Sequence, residues 1–135
     1  MPGKIFLDSN VCLYILDKRS PKHNVSKRLL QQRPIISTQV VAENLNVCLK
    51  KFRLTRIAAI HHANSLMQAC EVRSTTKQTV NQAILFVEQF GYSVYDSMIL
   101  ALADEAGCVA LYSEDMQHGH IFNKKLKIVN PFIEV

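Results

Sequence analysis

Asp8, Glu43, Asp96 and Asp115 are the side chains whose types and placement could do chemistry. They make no local motif, since the three aspartates are separated by 88 and 19 residues. Each nevertheless falls where a strand ends, where a helix begins or on a helix margin, and in an open parallel sheet the carboxyl ends of the strands form the ligand-binding edge. Gathered there the acids would repel, because two like charges ~4 Å apart cost about 4 kcal/mol at an effective dielectric near 20. A divalent cation removes that cost. Oxygen-only ligands without paired His or Cys favour Mg²⁺ or Mn²⁺, ions that activate a water, align a phosphodiester and stabilise its leaving oxygen. The chemistry expected of such a cleft is phosphodiester hydrolysis.

Each acid also has a plain structural reading. Asp8 follows the apolar run Ile5-Phe6-Leu7 and could cap the next helix, although Ser9 or Asn10 could do that instead. Ser93-Val94-Tyr95-Asp96 fits the capping-box pattern, in which the acid reaches back to the cap's amide. Glu43 could be a solvated residue on an amphipathic helix. Asp115 competes with Glu114 after Ser113, and successive side chains leaving a strand point to opposite sides, so only one of the two should face a cleft. Ser113 could orient a carboxylate or a metal-bound water.

The elements that must position these acids alternate between short apolar runs and helical periodicity. Strands are expected at Lys4 to Leu7, Pro34 to Ser37, Cys108 to Tyr112 and Lys127 to Val129, with a further short one at Glu71 to Ser74. Helices are expected at Val11 to Leu16, Arg19 to Gln32, Gln39 to Phe52 with Thr38 as cap, Leu54 to Cys70, Lys77 to Phe90, and from Ser93 to Gly107. Between Gln39 and Phe52 an apolar arc of Val40, Val41, Leu45, Val47, Cys48, Leu49 and Phe52 leaves Glu43 just outside its margin, with Asn44 interrupting it. The next periodic set is Val80, Ala83, Ile84, Val87 and Phe90. Strands alternating with helices predict α/β architecture with a mainly parallel sheet covered on both faces.

Size and composition set the outer bounds. A chain of 135 residues, 48% hydrophobic, is expected to form a single domain over residues 1–135 and to fold without disulfides or a structural metal. The apolar run Met98 to Ala103 is far short of the ~20 residues that span a bilayer. A soluble, cytoplasmic protein is the expectation. Cys12, Cys48, Cys70 and Cys108 have no C-x-x-C spacing and lie in apolar company, so they read as reduced core thiols rather than zinc ligands. The formal net charge is +5; with the four acids set aside in a metal-neutralised pocket, sixteen basic groups face seven acidic ones. That surface attracts a polyanion.

Other constellations weaken on inspection. His61 and His62 cannot share a helix face, and His118-Gly119-His120 has no nearby third ligand, so these read as surface histidines. The chain lacks the glycine patterns of dinucleotide and nucleoside-triphosphate sites. Lys50, Lys51, Arg53 and Arg56 either balance a helix dipole or touch substrate.

Four blocks in order carry a family resemblance: Phe6-Leu7-Asp8-Ser9-Asn10, Ser37-Thr38-Gln39-Val40-Val41-Ala42-Glu43, Tyr95-Asp96-Ser97-Met98-Ile99, and Leu111 through Gly119 with Asp115 inside it. With these the chain resembles the PIN-domain nucleases, and more narrowly the toxin ribonucleases of VapBC-type toxin-antitoxin pairs. The resemblance implies a single-domain α/β/α sandwich, a Mg²⁺ or Mn²⁺ site from Asp8, Glu43, Asp96 and Asp115, and cleavage of RNA. It adds Asn10 and Ser113 as supporting members, a homodimer and a cognate antitoxin. Ser stands at positions 9 and 113 where Thr is frequent in the family. Two other readings remain. A haloacid-dehalogenase-type phosphatase would need an aspartate where Asn10 stands, and a non-catalytic RNA-binding module would use the same basic surface with structural acids.

Overall fold

The computed structural model describes residues 3–134. Its first strand, β1 (Ile5–Leu7), is short because three consecutive apolar residues end at a charged one, Asp8. Then follow α1 (Ser9–Leu13) running into a 3-10 turn (Tyr14–Leu16), α2 (Lys22–Leu30), β2 (Ile35–Ser37), α3 (Thr38–Lys50) and α4 (Arg56–Ala69). The rest is β3 (Glu71–Arg73), α5 (Lys77–Phe90), α6 (Val94–Glu105), β4 (Ala110–Tyr112), β5 (Ile121–Phe122) and β6 (Leu126–Val129).

The strands form one sheet in the order β3-β2-β1-β4-β6-β5. Every pairing is parallel except β5 with β6. The chain steps from β1 through β2 to β3 in one direction, then returns past β1 to lay down β4. Because parallel crossovers are right-handed, the helices of the outward and return journeys lie on opposite faces. The architecture is thus the expected α/β/α arrangement, and β1, flanked by β2 and β4, stands at the point where the direction of winding reverses.

That position explains the composition of the core. Phe6, Leu7, Ile36, Leu111 and Ile128 lie fully buried on neighbouring strands. Helix α6 buries five consecutive residues, Ile99 to Ala103, so it is enclosed nearly all round rather than along one stripe. The four cysteines are free and buried, as their neighbours suggest. Among the described residues no helix is long and apolar enough to cross a membrane.

Several local expectations are corrected. Ser37, not Thr38, caps α3, its Oγ accepting from Val40 N at 3.1 Å. Helix α2 is shorter at both ends than Arg19 to Gln32: residues 17–20 form a turn closed by Ser20 N donating to Asp17 O, and at the far end Gln32 N donates to Leu29 O in a closing turn. On α3 the buried side chains are Val40, Asn44 and Cys48, while Phe52 lies beyond the helix and is exposed. On α5 they are Thr79, Ala83 and Phe86, and Val80 and Ile84 face outward. Strand β5 has no counterpart in the sequence reading. It is two residues long and turns into β6 through a three-residue loop, Asn123 to Lys125, in which Asn123 and Lys124 take positive φ and Lys125 N donates to Phe122 O at 3.1 Å.

Candidate active site

Asp8 sits directly beyond the end of β1, and its backbone N donates to Tyr112 O at 3.0 Å, continuing the ladder with β4. Its side chain is 4% exposed. Two donors hold it: Ser9 N at 2.6 Å on Oδ1 and Ser113 Oγ at 2.7 Å on Oδ2. Asp8 is therefore the N-cap of α1, as one of its readings had it, and the bond to Ser113 crosses the sheet to the segment after β4. Burial dominates its acidity and raises the carboxyl to about 7; the two hydrogen bonds pull against this, and the charges of Asp96 and Glu43 add to the rise.

Glu43 reaches the same edge from α3. Ser9 Oγ donates to its Oε2 at 3.1 Å, and Gln39, one helical turn earlier, donates from Nε2 to its Oε1 at 2.6 Å. Gln39 Nε2 also lies 3.5 Å from Tyr95 O, which ties α3 to the start of α6 beside Asp96, while Gln39 Oε1 is enclosed without a partner. Asp96 lends its backbone N to Ser93 Oγ at 3.1 Å. Among the described residues, only Thr76 and Thr79, heading α5, form both halves of a capping box. Half-buried Asp96 is raised by burial first; Ser93 opposes, and the charges of Asp115 and Glu43 push it further up.

Asp115 is exposed, and Asn10 Nδ2 donates to its Oδ2 at 2.9 Å. Asp115 and Glu114 differ in their partners. Glu114 turns away to Tyr14 Oη at 2.9 Å and to the ammonium of Lys22, which lies 4.8 Å from the centre of the Tyr14 ring. Asn10 Oδ1 accepts from Glu114 N at 3.3 Å, and Ser113 Oγ accepts from Asp115 N at 3.2 Å. Asn10 and Ser113 thereby fix the loop that carries Asp115.

The four acids thus share the carboxyl edge of the sheet, contributed by the segments after β1 and β4, the second turn of α3 and the first turn of α6. A scan of protein families matches the PIN domain over residues 5–121. The chain belongs to the PIN domain family. Solved structures of the same fold include VapC20 of Mycobacterium tuberculosis, a sarcin-ricin loop cleaving toxin, at 21% identity over 83% of this chain and 90% of that one, with a TM-score of 0.69. A toxin-antitoxin complex from Klebsiella pneumoniae matches at 14% identity, 96% and 98% coverage and a TM-score of 0.72. VapBC2 of Rickettsia felis, bound to a fragment of its promoter DNA, matches at 19% identity, 92% and 97% coverage and a TM-score of 0.66. At these identities the likeness is one of fold. Among curated proteins nothing matches.

In this PIN domain the donor set at the edge is entirely oxygen, which suits a hard divalent cation. Among the described residues, no three His, Cys, Asp or Glu side chains stand close enough to form a ready-made metal site. The acids are electrostatic neighbours rather than a finished cage, and the chemistry of the donors, not their spacing, is what fits a metal.

Sequence reasoning missed two members of the arrangement, Ser9 and Gln39. Gln39 stands four residues before Glu43 on one helix, a spacing that brings side chains together and could have revealed it. Ser9 carried no separate signal, since a serine after Asp8 reads simply as a helix start. His62 corrects the reading of surface histidines: it is 4% exposed, and burial and the neighbouring His61 lower its pKa.

Proposed function

We propose that this PIN domain is a metal-dependent endoribonuclease of the cytoplasm, the toxin of a toxin-antitoxin pair, with Asp8, Glu43, Asp96 and Asp115 holding Mg²⁺ or Mn²⁺. The observation that carries the reading is Asp8: a carboxylate buried at the reversal point of a parallel sheet, oriented by two donors and surrounded by like charge. A group so placed is costly for the fold alone. The cost is understandable where a cation is to be bound.

A bound divalent ion would supply Lewis acidity toward the phosphodiester and lower the pKa of a coordinated water. The chain's own residues prepare for it. Ser113 and the Ser9 amide aim Asp8, Asn10 aims Asp115, and Ser9 with Gln39 aims Glu43. Sixteen basic residues elsewhere supply the attraction for the RNA backbone.

Protein partners fit the same reading. The Klebsiella pneumoniae structure of the same fold is a toxin-antitoxin complex. Between α5 and α6 an apolar groove of about 140 Å³ is lined by Val80, Ile84, Val87, Val94 and Met98, and Ile84 and Val94 are more than half exposed. An uncovered apolar surface of this kind supports a homodimer.

The test is cleavage of RNA by the purified protein with Mn²⁺, with EDTA and after Asp8→Asn. Cleavage should require the metal and vanish in the variant, with RNA binding retained. Cleavage that persists in EDTA or in Asp8→Asn would overturn the mechanism; binding without any cleavage would favour the RNA-binding module.

A further inference from the structure

Asn44 interrupts the apolar face of α3, yet it is fully buried. Its side chain is completely used. Nδ2 donates to Val40 O on its own helix at 3.0 Å and to Ser9 O on α1 at 3.3 Å, and Oδ1 meets His62 Nε2 of α4 at 2.9 Å. The two carbonyls fix which way the amide points, since a flipped amide would set oxygen against oxygen. His62 must therefore carry its proton on Nε2.

The consequence appears at Ser9. Adjacent residues of α3 grip it twice, Glu43 by accepting from its hydroxyl at 3.1 Å and Asn44 by donating to its carbonyl. Helix α1 is only five residues long, too short to hold its own geometry without tertiary support. A buried amide and imidazole are costlier than two apolar side chains unless hydrogen-bonded, and what such bonds provide is fixed geometry.

We propose that Asn44, oriented by the two carbonyls it donates to and held at its Oδ1 by His62, is the positioning residue that sets the distance between α1 and α3 and so holds Ser9 and Glu43 in register at the acidic edge. The inference rests on the nuclease reading above. Neither side chain touches substrate or metal; they act through Ser9 and Glu43, as outer partners do when they orient ligands. Tolerances of about 0.5 Å in such sites make the tether consequential.

The experiment compares His62→Leu with His62→Gln in the full chain. Gln can restore a donor to Asn44 Oδ1, whereas Leu fills space without one. Binding of Mn²⁺ alone, measured by calorimetry, should weaken about tenfold or more in His62→Leu and return toward wild type in His62→Gln. Cleavage should follow in kcat with KM for RNA unchanged. The double variant Asn44→Leu/His62→Leu removes both polar partners together and leaves no orphaned group between them, so it should stay folded and still show the loss. It carries the comparison if His62→Leu alone proves too unstable. Wild-type Mn²⁺ affinity in the Leu variants, or Gln behaving no better than Leu, would show that the pair only packs the core and would overturn the proposal. A wild-type chain that neither binds Mn²⁺ nor cleaves RNA would instead fail the nuclease reading and remove this inference with it.

Discussion

Ser113 Oγ donates to Asp8 Oδ2 at 2.7 Å, joining residues 105 positions apart across the two central strands. The same hydroxyl accepts from Asp115 N and, at 3.4 Å, from Met116 N, so one side chain sets both an acid and the loop carrying another. The Ser113 bond opposes the burial that raises Asp8. Ser113→Ala should therefore raise Asp8 further and weaken Mn²⁺ binding roughly 10- to 100-fold near neutral pH, with partial recovery at higher pH. Calorimetric titration across pH checks it; unchanged affinity would assign Ser113 to the loop alone.

Metal-free stability should depend on pH through Asp8. Its folded pKa is raised from 3.8 to about 7, so the native state holds a proton that the unfolded chain releases between those values. The stability this proton confers is complete below the unfolded pKa and is lost as pH rises through about 7. Asp8→Asn should flatten that dependence and be more stable than wild type above neutrality, by on the order of a few kcal/mol. Thermal melts in EDTA from pH 5 to 8 measure the difference. A large loss of stability in the variant would return Asp8 to its capping role.

His62 works in the opposite direction. Its pKa is lowered by burial and by His61, so the unfolded chain takes up a proton more readily. Its contribution is present above the unfolded value near 6.5 and is lost as pH falls below it. His62→Gln should remove this acid-side loss, visible as a smaller drop in melting temperature between pH 7 and 5.

Glu114 and Asp115 are adjacent acids with different expected fates. Glu114→Gln breaks a partly exposed ion pair with Lys22 and should cost about 1 kcal/mol or less, with cleavage largely kept. Asp115→Asn should abolish cleavage with little change in melting temperature. Equal loss of activity in both would mean that the loop, not one carboxylate, is what matters.

Association should be sensitive at α5. Ile84 is 60% exposed in the groove beside Val94 and Met98, so Ile84→Asp should shift the protein toward monomer in light scattering while its circular dichroism is kept. An unchanged mass would place any dimer elsewhere.

What the sequence disclosed follows from the range of the interactions involved. Asp8 at a strand end, Gly91 closing α5 at φ 73°, and a helix following β2 are local consequences of chemistry within a few positions. The buried face of α3 was misread because Asn44 is apolar in neither type nor scale; only His62, eighteen residues later, makes its burial tolerable. The outward face of α5 was misread for the converse reason, as periodic apolar residues do not reveal whether the partner surface belongs to the same chain. The separation of Glu114 from Asp115 needed Tyr14 and Lys22, roughly a hundred positions upstream, and β5 was too short to leave a pattern.

The placement of β4 beside β1 carries a consequence for synthesis. Asp8 emerges from the ribosome early, yet its ladder partner Tyr112 and its orienting hydroxyl on Ser113 are translated only after more than a hundred further residues. A nascent chain lacking them has no second central strand to hold Asp8, and Asp115 does not yet exist. Under the nuclease reading, a partly made chain holds no complete site by strand order alone, and activity begins only when the last sixth of the chain threads back into the middle of the sheet.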